Sequence, residues 1–429
     1  MFEYSNEKAI EYIFGFSHSG KPVKDLSRIK KLMSAIGDPQ ERLRFVHIAG
    51  TNGKGSTAVM TASILEEAGY SVGLFTSPLL EDECERVQIW DGNHRMIEQA
   101  ELDALKEKVY SVEEDVKTTL HNAGLGYGKL TVFEVYTAAA YLYFAKEQPD
   151  YVVLETGLGG RLDSTNTLEK PLVSVITQVG LDHTAQLGNT IFKIAHEKAG
   201  IIKPGVPVVS QTGDLNTKNI FRRVAAENGS EFVDVSMVTD SYRKYELAMT
   251  GEHQIRNAAT AVEAIKAAGI EVSEEAIENG LANAWLPGRF EILNEEESER
   301  PLFIIDGAHN PDAVSELVKT YDAFSRANKI KRTLVIFGCM KDKNSVRMVQ
   351  LLTGGLRGCS YAAAAVDYER AEAPERIGEL IAGCGRGCMI FESTREAYEY
   401  AKDSSFECIL TTGSIYLAGE MRTLFMKDQ

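Results

Sequence analysis

The chain has 429 residues, more than one hydrophobic core usually supports, and its 44% hydrophobic and 25% charged content is that of a globular protein, so two domains are expected. A formal net charge of −16 disfavours nonspecific binding to nucleic acid or to an anionic membrane surface, and leaves any anionic substrate dependent on metal ions and a few placed cations. Six scattered cysteines, a charged N-terminus without a signal-peptide core, and the lack of any apolar run of about 18 residues read as a cytoplasmic protein with reduced thiols and no membrane span.

Residues 1–42 read as short amphipathic helices, with Leu26, Ile29, Leu32, Met33 and Ile36 at helical spacing before a Gly37-Asp38-Pro39 stop. Next, the apolar strand Phe45–Ala49 runs into Gly50-Thr51-Asn52-Gly53-Lys54-Gly55-Ser56-Thr57, and a helix follows from Ala58 to Glu67. Strand, Gly-rich turn, lysine, hydroxyl and helix are the parts of a phosphate cradle. Turn amides and the positive helix end face the anion, Lys54 reaches the outer phosphates, and Ser56 or Thr57 offers a hydroxyl to Mg²⁺. The spacing departs from G-x-x-x-x-G-K-[ST], because position 48 is Ile and Gly55 separates Lys54 from Ser56.

Ser71–Thr76 reads as a second strand, leading into Ser77-Pro78-Leu79 at the edge where open α/β sheets bind ligands. A strand-like Val87–Trp90, one charged helix over 97–122 and a loop over 124–128 follow. Leu130–Lys146 is apolar nearly all round, as a core helix would be, apart from Glu134, which either points out of the core or serves a site. The unalternating strand Tyr151–Leu154 delivers Glu155 to the sheet edge beside the phosphate loop, where Mg²⁺ coordination wants a carboxylate. Gly157 and Gly159 imitate a dinucleotide fingerprint, but Leu162 stands at the third glycine position. Leu172–Thr177 is another core strand, and His183 falls just past it. Lys198, on the helix Ile191–Gly200, reads by itself as a solvated residue. Residues 211–250 look polar and irregular, and Gly251 opens an Ala-rich helix.

The acid-rich run 294–300 is the best linker candidate, which divides the chain into domains 1–296 and 297–429. After it, strands near 302–305, 333–337, 360–366, 389–391 and 407–411 alternate with helices, the pattern of a parallel sheet in a smaller α/β domain. Two such domains with polar strand ends invite a site in a cleft between them. The fold class is therefore α/β, with a larger P-loop ATPase-like domain on a parallel central sheet and a smaller Rossmann-like domain.

The string Gly50 to Ser56 resembles the ATP loop of the Mur ligase superfamily, most closely that of folylpolyglutamate synthase and dihydrofolate synthase. Further motifs similar to that family follow in its order: Thr76-Ser77-Pro78, Glu155 with Gly157 to Asp163, Leu181-Asp182-His183, Glu197-Lys198, His253-Gln254 with Asn257, Pro287 to Glu291, and Asp306 to Pro311. The resemblance implies an ATP-dependent ligase that adds L-glutamate to a folate, or to dihydropteroate, through an acyl phosphate. It implies that Lys54 and the loop amides hold the β- and γ-phosphates, that Ser56 and Glu155 serve one Mg²⁺, and that Ser77, Glu155 and His183 serve a second. It also implies a carbamylated Lys198, nucleotide contacts from Asn257, Arg289 (phosphate) and Asp306 (ribose), and positions for His309 and Ser414 near the incoming glutamate and the phosphates. Ser77, Pro78 and Ser414 would then border substrate, and the enzyme would act as a cytoplasmic monomer with no nucleic-acid or membrane partner. Leu79 stands where the family usually shows His, and 83–86 also differs, both on the pterin side, so these positions bear on which folate is accepted. A UDP-muramyl ligase would need a further N-terminal domain, for which the segment ahead of the loop is short. A nucleotide-gated binding protein would turn over ATP without glutamate.

Overall fold

The computed structural model describes residues 25–125, 129–294 and 301–428. The chain forms two compact units, one from residues up to Ala248 with Gln254–Trp285, the other from Met249–His253 with Leu286 onward. The 296/297 boundary read from the sequence lies outside the described residues, as do the helices read before residue 25 and most of the 124–128 loop.

The first unit holds eight strands: β1 (Phe45–Ala49), β2 (Val72–Phe75), β3 (Val87–Trp90), β4 (His94–Met96), β5 (Tyr151–Glu155), β6 (Val173–Ile176), β7 (Val208–Ser210) and β8 (Phe232–Asp234). Their order in the sheet is β4-β3-β2-β5-β1-β6-β7-β8; the pairs along β2-β5-β1-β6-β7-β8 are parallel, and at one edge β3 runs antiparallel to both β2 and β4. Every residue of β1, β5 and β6 is buried, as their unalternating apolar sequences require. One core gathers Phe45, Phe75, Leu102, Val109, Tyr141 and Phe144; a second gathers Ala49, Ile176, Ala195, Ile220 and Phe221.

Three sequence readings change here. The single helix over 97–122 is two, Gln99–Ser111 and Glu113–Asn122, the second opening on three acids that favour a helix N-terminus. The irregular stretch 211–250 contains the helix Leu215–Glu227, capped by Asp214 and buried through Ile220, Phe221 and Ala225, and then β8. Glu134 does not face out. It is buried in a capping box with Thr131, and its oxygens meet Arg28 Nε at 2.9 Å and Nη2 at 2.9 Å.

In the second unit the strands are β9 (Glu291–Ile292), β10 (Leu302–Ile305), β11 (Thr333–Phe337), β12 (Ser360–Ala364), β13 (Cys388–Phe391) and β14 (Cys408–Thr412), ordered β13-β12-β11-β14-β10-β9. All pairs are parallel except the edge pair β10–β9, and a helix follows each of β10 to β14, which is the alternation read from the sequence. The last strand returns to lie beside β10, so the loops after residues 305 and 412 become neighbours: the Gly413 N–H donates to the Ala308 carbonyl at 3.0 Å. All six cysteines are free thiols, and no described helix is long and apolar enough to cross a membrane.

Candidate active site

Strand β1 ends at Ala49, and the helix Lys54–Glu67 begins five residues later. The turn is tightly enclosed. A Cβ on Gly50 would lie 1.7 Å from Thr177 Oγ1, and one on Gly53, which sits at φ +87°, would lie 2.5 Å from Asn257 Oδ1. Only glycine fits either place. The Thr51 and Asn52 amides do not face an anion, because they donate to the Gln178 carbonyl at 2.7 and 3.3 Å, and Thr51 Oγ1 bonds both the N–H and the C=O of Gly180. The cradle is thus narrower than the sequence suggested: the amides of Gly53, Lys54, Gly55 and Ser56 at the helix N-terminus remain for phosphate. Ser56 and Thr57 are both buried, and Thr57 Oγ1 has no hydrogen-bond partner among the described residues.

Lys54 Nζ lies 3.7 Å from Glu155 Oε1 and 3.4 Å from the Thr51 carbonyl. Glu155, only 2% exposed at the end of β5, accepts the Ser77 N–H at 3.0 Å through its other oxygen. Three stretches therefore meet here: the phosphate loop, the Ser77-Pro78 turn after β2, and the end of β5. His183 follows β6 in a left-handed conformation (φ 47°); its N–H donates to Asp182 Oδ1 at 2.8 Å, and its Nε2 lies 3.8 Å from Asp182 Oδ2.

Lys198 corrects the sequence reading most. Instead of being solvated it is 2% exposed, and its Nζ donates to the Gly50 carbonyl at 2.6 Å. Burial, helped by the Lys54 charge, pulls its amine down from 10.5 to about 7, against the opposing pull of Asp182 and Asp163. Asp163, pushed up by burial, accepts the Leu158 amide, the Thr165 amide and the Thr165 hydroxyl. Thr165 Oγ1 also meets His47 Nε2 at 2.8 Å on β1, and His47 is held neutral by burial, at about 3. This buried chain ties the loop after Glu155 to the strand that carries the phosphate loop.

Asn257, on the helix Glu252–Ala267, is buried beside Gly53 and donates to Gln254 at 2.8 Å. In the second unit, Asp306 follows β10 and accepts the Phe290 and Ala308 amides, each at 2.9 Å. Enclosure raises its carboxyl, opposed first by the Arg289 guanidinium and more weakly by His253. Arg289 packs so closely that a Cβ on Gly307 would lie 2.7 Å from its Nη1. His309 Nδ1 bonds the Gly307 carbonyl at 2.9 Å, and Ser414 is the buried N-cap of the helix Ile415–Lys427. Asp306, His309 and Ser414 thus belong to the joined loops after β10 and β14, and Arg289, just ahead of β9, packs against Gly307 of the first of them. The sequence reading did not select Asp182, Gln178, Gln211 or His253. Asp182 sat in a motif already noted, whereas the glutamines carried no sequence signal.

No described group of three or more His, Cys, Asp or Glu side chains is arranged to hold a metal. A divalent ion bound chiefly by phosphates and water asks for less, and the buried Glu155 carboxylate beside the loop, with the hydroxyls of Ser56 and Ser77, is a hard oxygen set that suits Mg²⁺ or Mn²⁺.

Residues 288–415 match the family model described as Mur ligase, glutamate ligase domain. The chain is 34% identical over 422 residues to the dihydrofolate synthase/folylpolyglutamate synthase of Bacillus subtilis strain 168, covering 92% of this chain and 94% of that one. The solved structure of Mycobacterium tuberculosis folylpolyglutamate synthase complexed with ADP and AMPPCP is similar at a TM-score of 0.81 and 28% identity, over 94% of this chain and 95% of that one. That of the bifunctional folylpolyglutamate synthase/dihydrofolate synthase of Yersinia pestis, complexed with AMPPNP and Mn ion, gives a TM-score of 0.81 at 27% identity, over 99% and 98%.

Proposed function

We propose a function from the premise that the chain belongs to the folylpolyglutamate synthase and dihydrofolate synthase family of Mur ligases: it is an ATP-dependent ligase that adds L-glutamate to a tetrahydrofolate, releasing ADP and phosphate, with dihydropteroate as the second acceptor to test. The convergence of Lys54, Ser77, Glu155 and Lys198 on one phosphate loop supports this reading.

A carboxylate resists amide formation because its carbon is a poor electrophile and oxide is a poor leaving group. Phosphorylation by ATP removes both obstacles, and the resulting acyl phosphate is attacked by the glutamate amine, with phosphate leaving. Lys54 and the amides at the start of the helix Lys54–Glu67 neutralise charge on the transferred phosphoryl oxygens. Ser56 and Glu155, with Ser77 and His183, would hold the divalent ions, which supply further positive charge to the phosphates. Arg289 and Asp306 serve the nucleotide's phosphate and ribose, and His309 and Ser414 lie toward the glutamate.

Lys198 fits carbamylation on chemical grounds. With an amine at about 7, a large fraction is the neutral nucleophile at neutral pH. Attack of the neutral amine on CO₂ forms an N–C bond, releases one proton and leaves an anionic carbamate where the amine stood; starting from the ammonium form, two protons are released. The test of the reaction course is a folate labelled with ¹⁸O in its terminal carboxylate: the acyl-phosphate route carries one label into phosphate, and unlabelled phosphate would refute it.

A further inference from the structure

Gln211 follows β7 and is 6% exposed, away from every motif in the sequence. Its side chain spans two parts of the site. With its carbonyl turned toward β6, Oε1 accepts the Gln178 N–H at 2.9 Å while Nε2 donates to Thr260 Oγ1 at 3.0 Å and to the Arg256 carbonyl at 3.1 Å. The opposite orientation would set the amide NH₂ against the Gln178 N–H and its carbonyl against that of Arg256, and the Thr260 hydroxyl already donates to Arg256 at 2.6 Å. Gln178 in turn uses its own carbonyl to hold the Thr51 and Asn52 amides of the phosphate loop. Arg256 and Thr260 flank Asn257 on the helix Glu252–Ala267, and with the Gln211 carbonyl turned toward β6 its Oε1 lies 3.3 Å from Asn257 Oδ1, the atom that sits against Gly53.

We infer that Gln211 is a positioning residue for the nucleotide: one buried amide fixes the distance between the loop that takes the phosphates and the helix that presents Asn257. This rests on the proposed reading of Asn257 as a nucleotide contact. Gln211 touches no substrate itself. Its three hydrogen bonds set the register in which loop and helix read a single molecule, so losing them lets the helix drift while the loop stays pinned by the Gln178 carbonyl, Thr51 and Thr177.

The test compares ADP with inorganic tripolyphosphate, which offers phosphates without a nucleoside, by titration calorimetry on the full chain. Gln211→Met, of similar volume, is expected to weaken ADP about tenfold, the worth of one to two net hydrogen bonds, while tripolyphosphate affinity changes less than about twofold. Thr260→Val removes one partner without touching Gln211 and is expected to weaken ADP by a smaller factor, again sparing tripolyphosphate; it keeps the test open if the first variant folds poorly. Equal weakening of both ligands would mean that Gln211 merely scaffolds the loop, and no change in either would mean that it positions nothing; both overturn the inference. Failure of the wild-type chain to bind ADP would instead refute the nucleotide reading beneath it.

Discussion

Replacing Lys198 with Met should make the ligand-free protein more stable and catalytically dead at once. The amine is buried at about 7 in the fold against 10.5 in the unfolded chain. Above the folded value the unfolded chain binds more protons than the folded one, so wild-type stability contributed by this group rises with pH between about 7 and 10.5. Linkage over that interval gives a cost of about 4 kcal/mol at pH 7, falling to about 2 kcal/mol at pH 9. Met fills similar volume, carries no such cost, and leaves the buried Gly50 carbonyl without its donor, at about 2–3 kcal/mol. The variant should therefore gain about 1–2 kcal/mol at pH 7, and the gain should shrink by about 2 kcal/mol on moving to pH 9. Urea denaturation of both proteins in CO₂-free buffer at the two pH values measures this. A difference between them that does not change with pH would refute the assignment of a desolvated amine.

Lys54→Met should cost on the order of 3 kcal/mol in transition-state stabilisation, about a hundredfold or more in kcat, with the circular-dichroism spectrum of the folded protein unchanged. Gly53→Ala must place a Cβ 2.5 Å from Asn257 Oδ1 at φ +87°, so a strain of about 1–2 kcal/mol should accompany loss of ADP binding in calorimetry. Arg28→Met strands the buried Glu134 carboxylate and should destabilise the fold by about 3–5 kcal/mol in denaturant titration while leaving the KM for ATP close to wild type.

The strands were legible because β1, β5, β6, β10, β11 and β14 are short apolar runs closed by polar residues, and those closing residues are the ones that meet at the sites. The phosphate loop was legible because its glycines answer a local geometric demand. What sequence hid was contact at long range. Lys198 looks solvated on its own helix, and only the Gly50 carbonyl, 148 residues away, shows why it is buried. Glu134 looks anomalous until Arg28, 106 residues earlier, is set against it. The helix Leu215–Glu227 was missed because its apolar face is narrow and its surroundings polar, and the Gln178–Gln211 bracket because two buried glutamines have no characteristic spacing.

The central claim is tested most directly by following ADP release with ATP, Mg²⁺ and L-glutamate, offering a reduced folate and 7,8-dihydropteroate in separate reactions and weighing the products. ADP formed in step with a folate heavier by one glutamyl residue, and only when glutamate is present, is the predicted result. Formation of the same linkage on dihydropteroate would make the enzyme bifunctional. ADP release that ignores glutamate, or that yields no glutamylated product from either acceptor, would contradict the account.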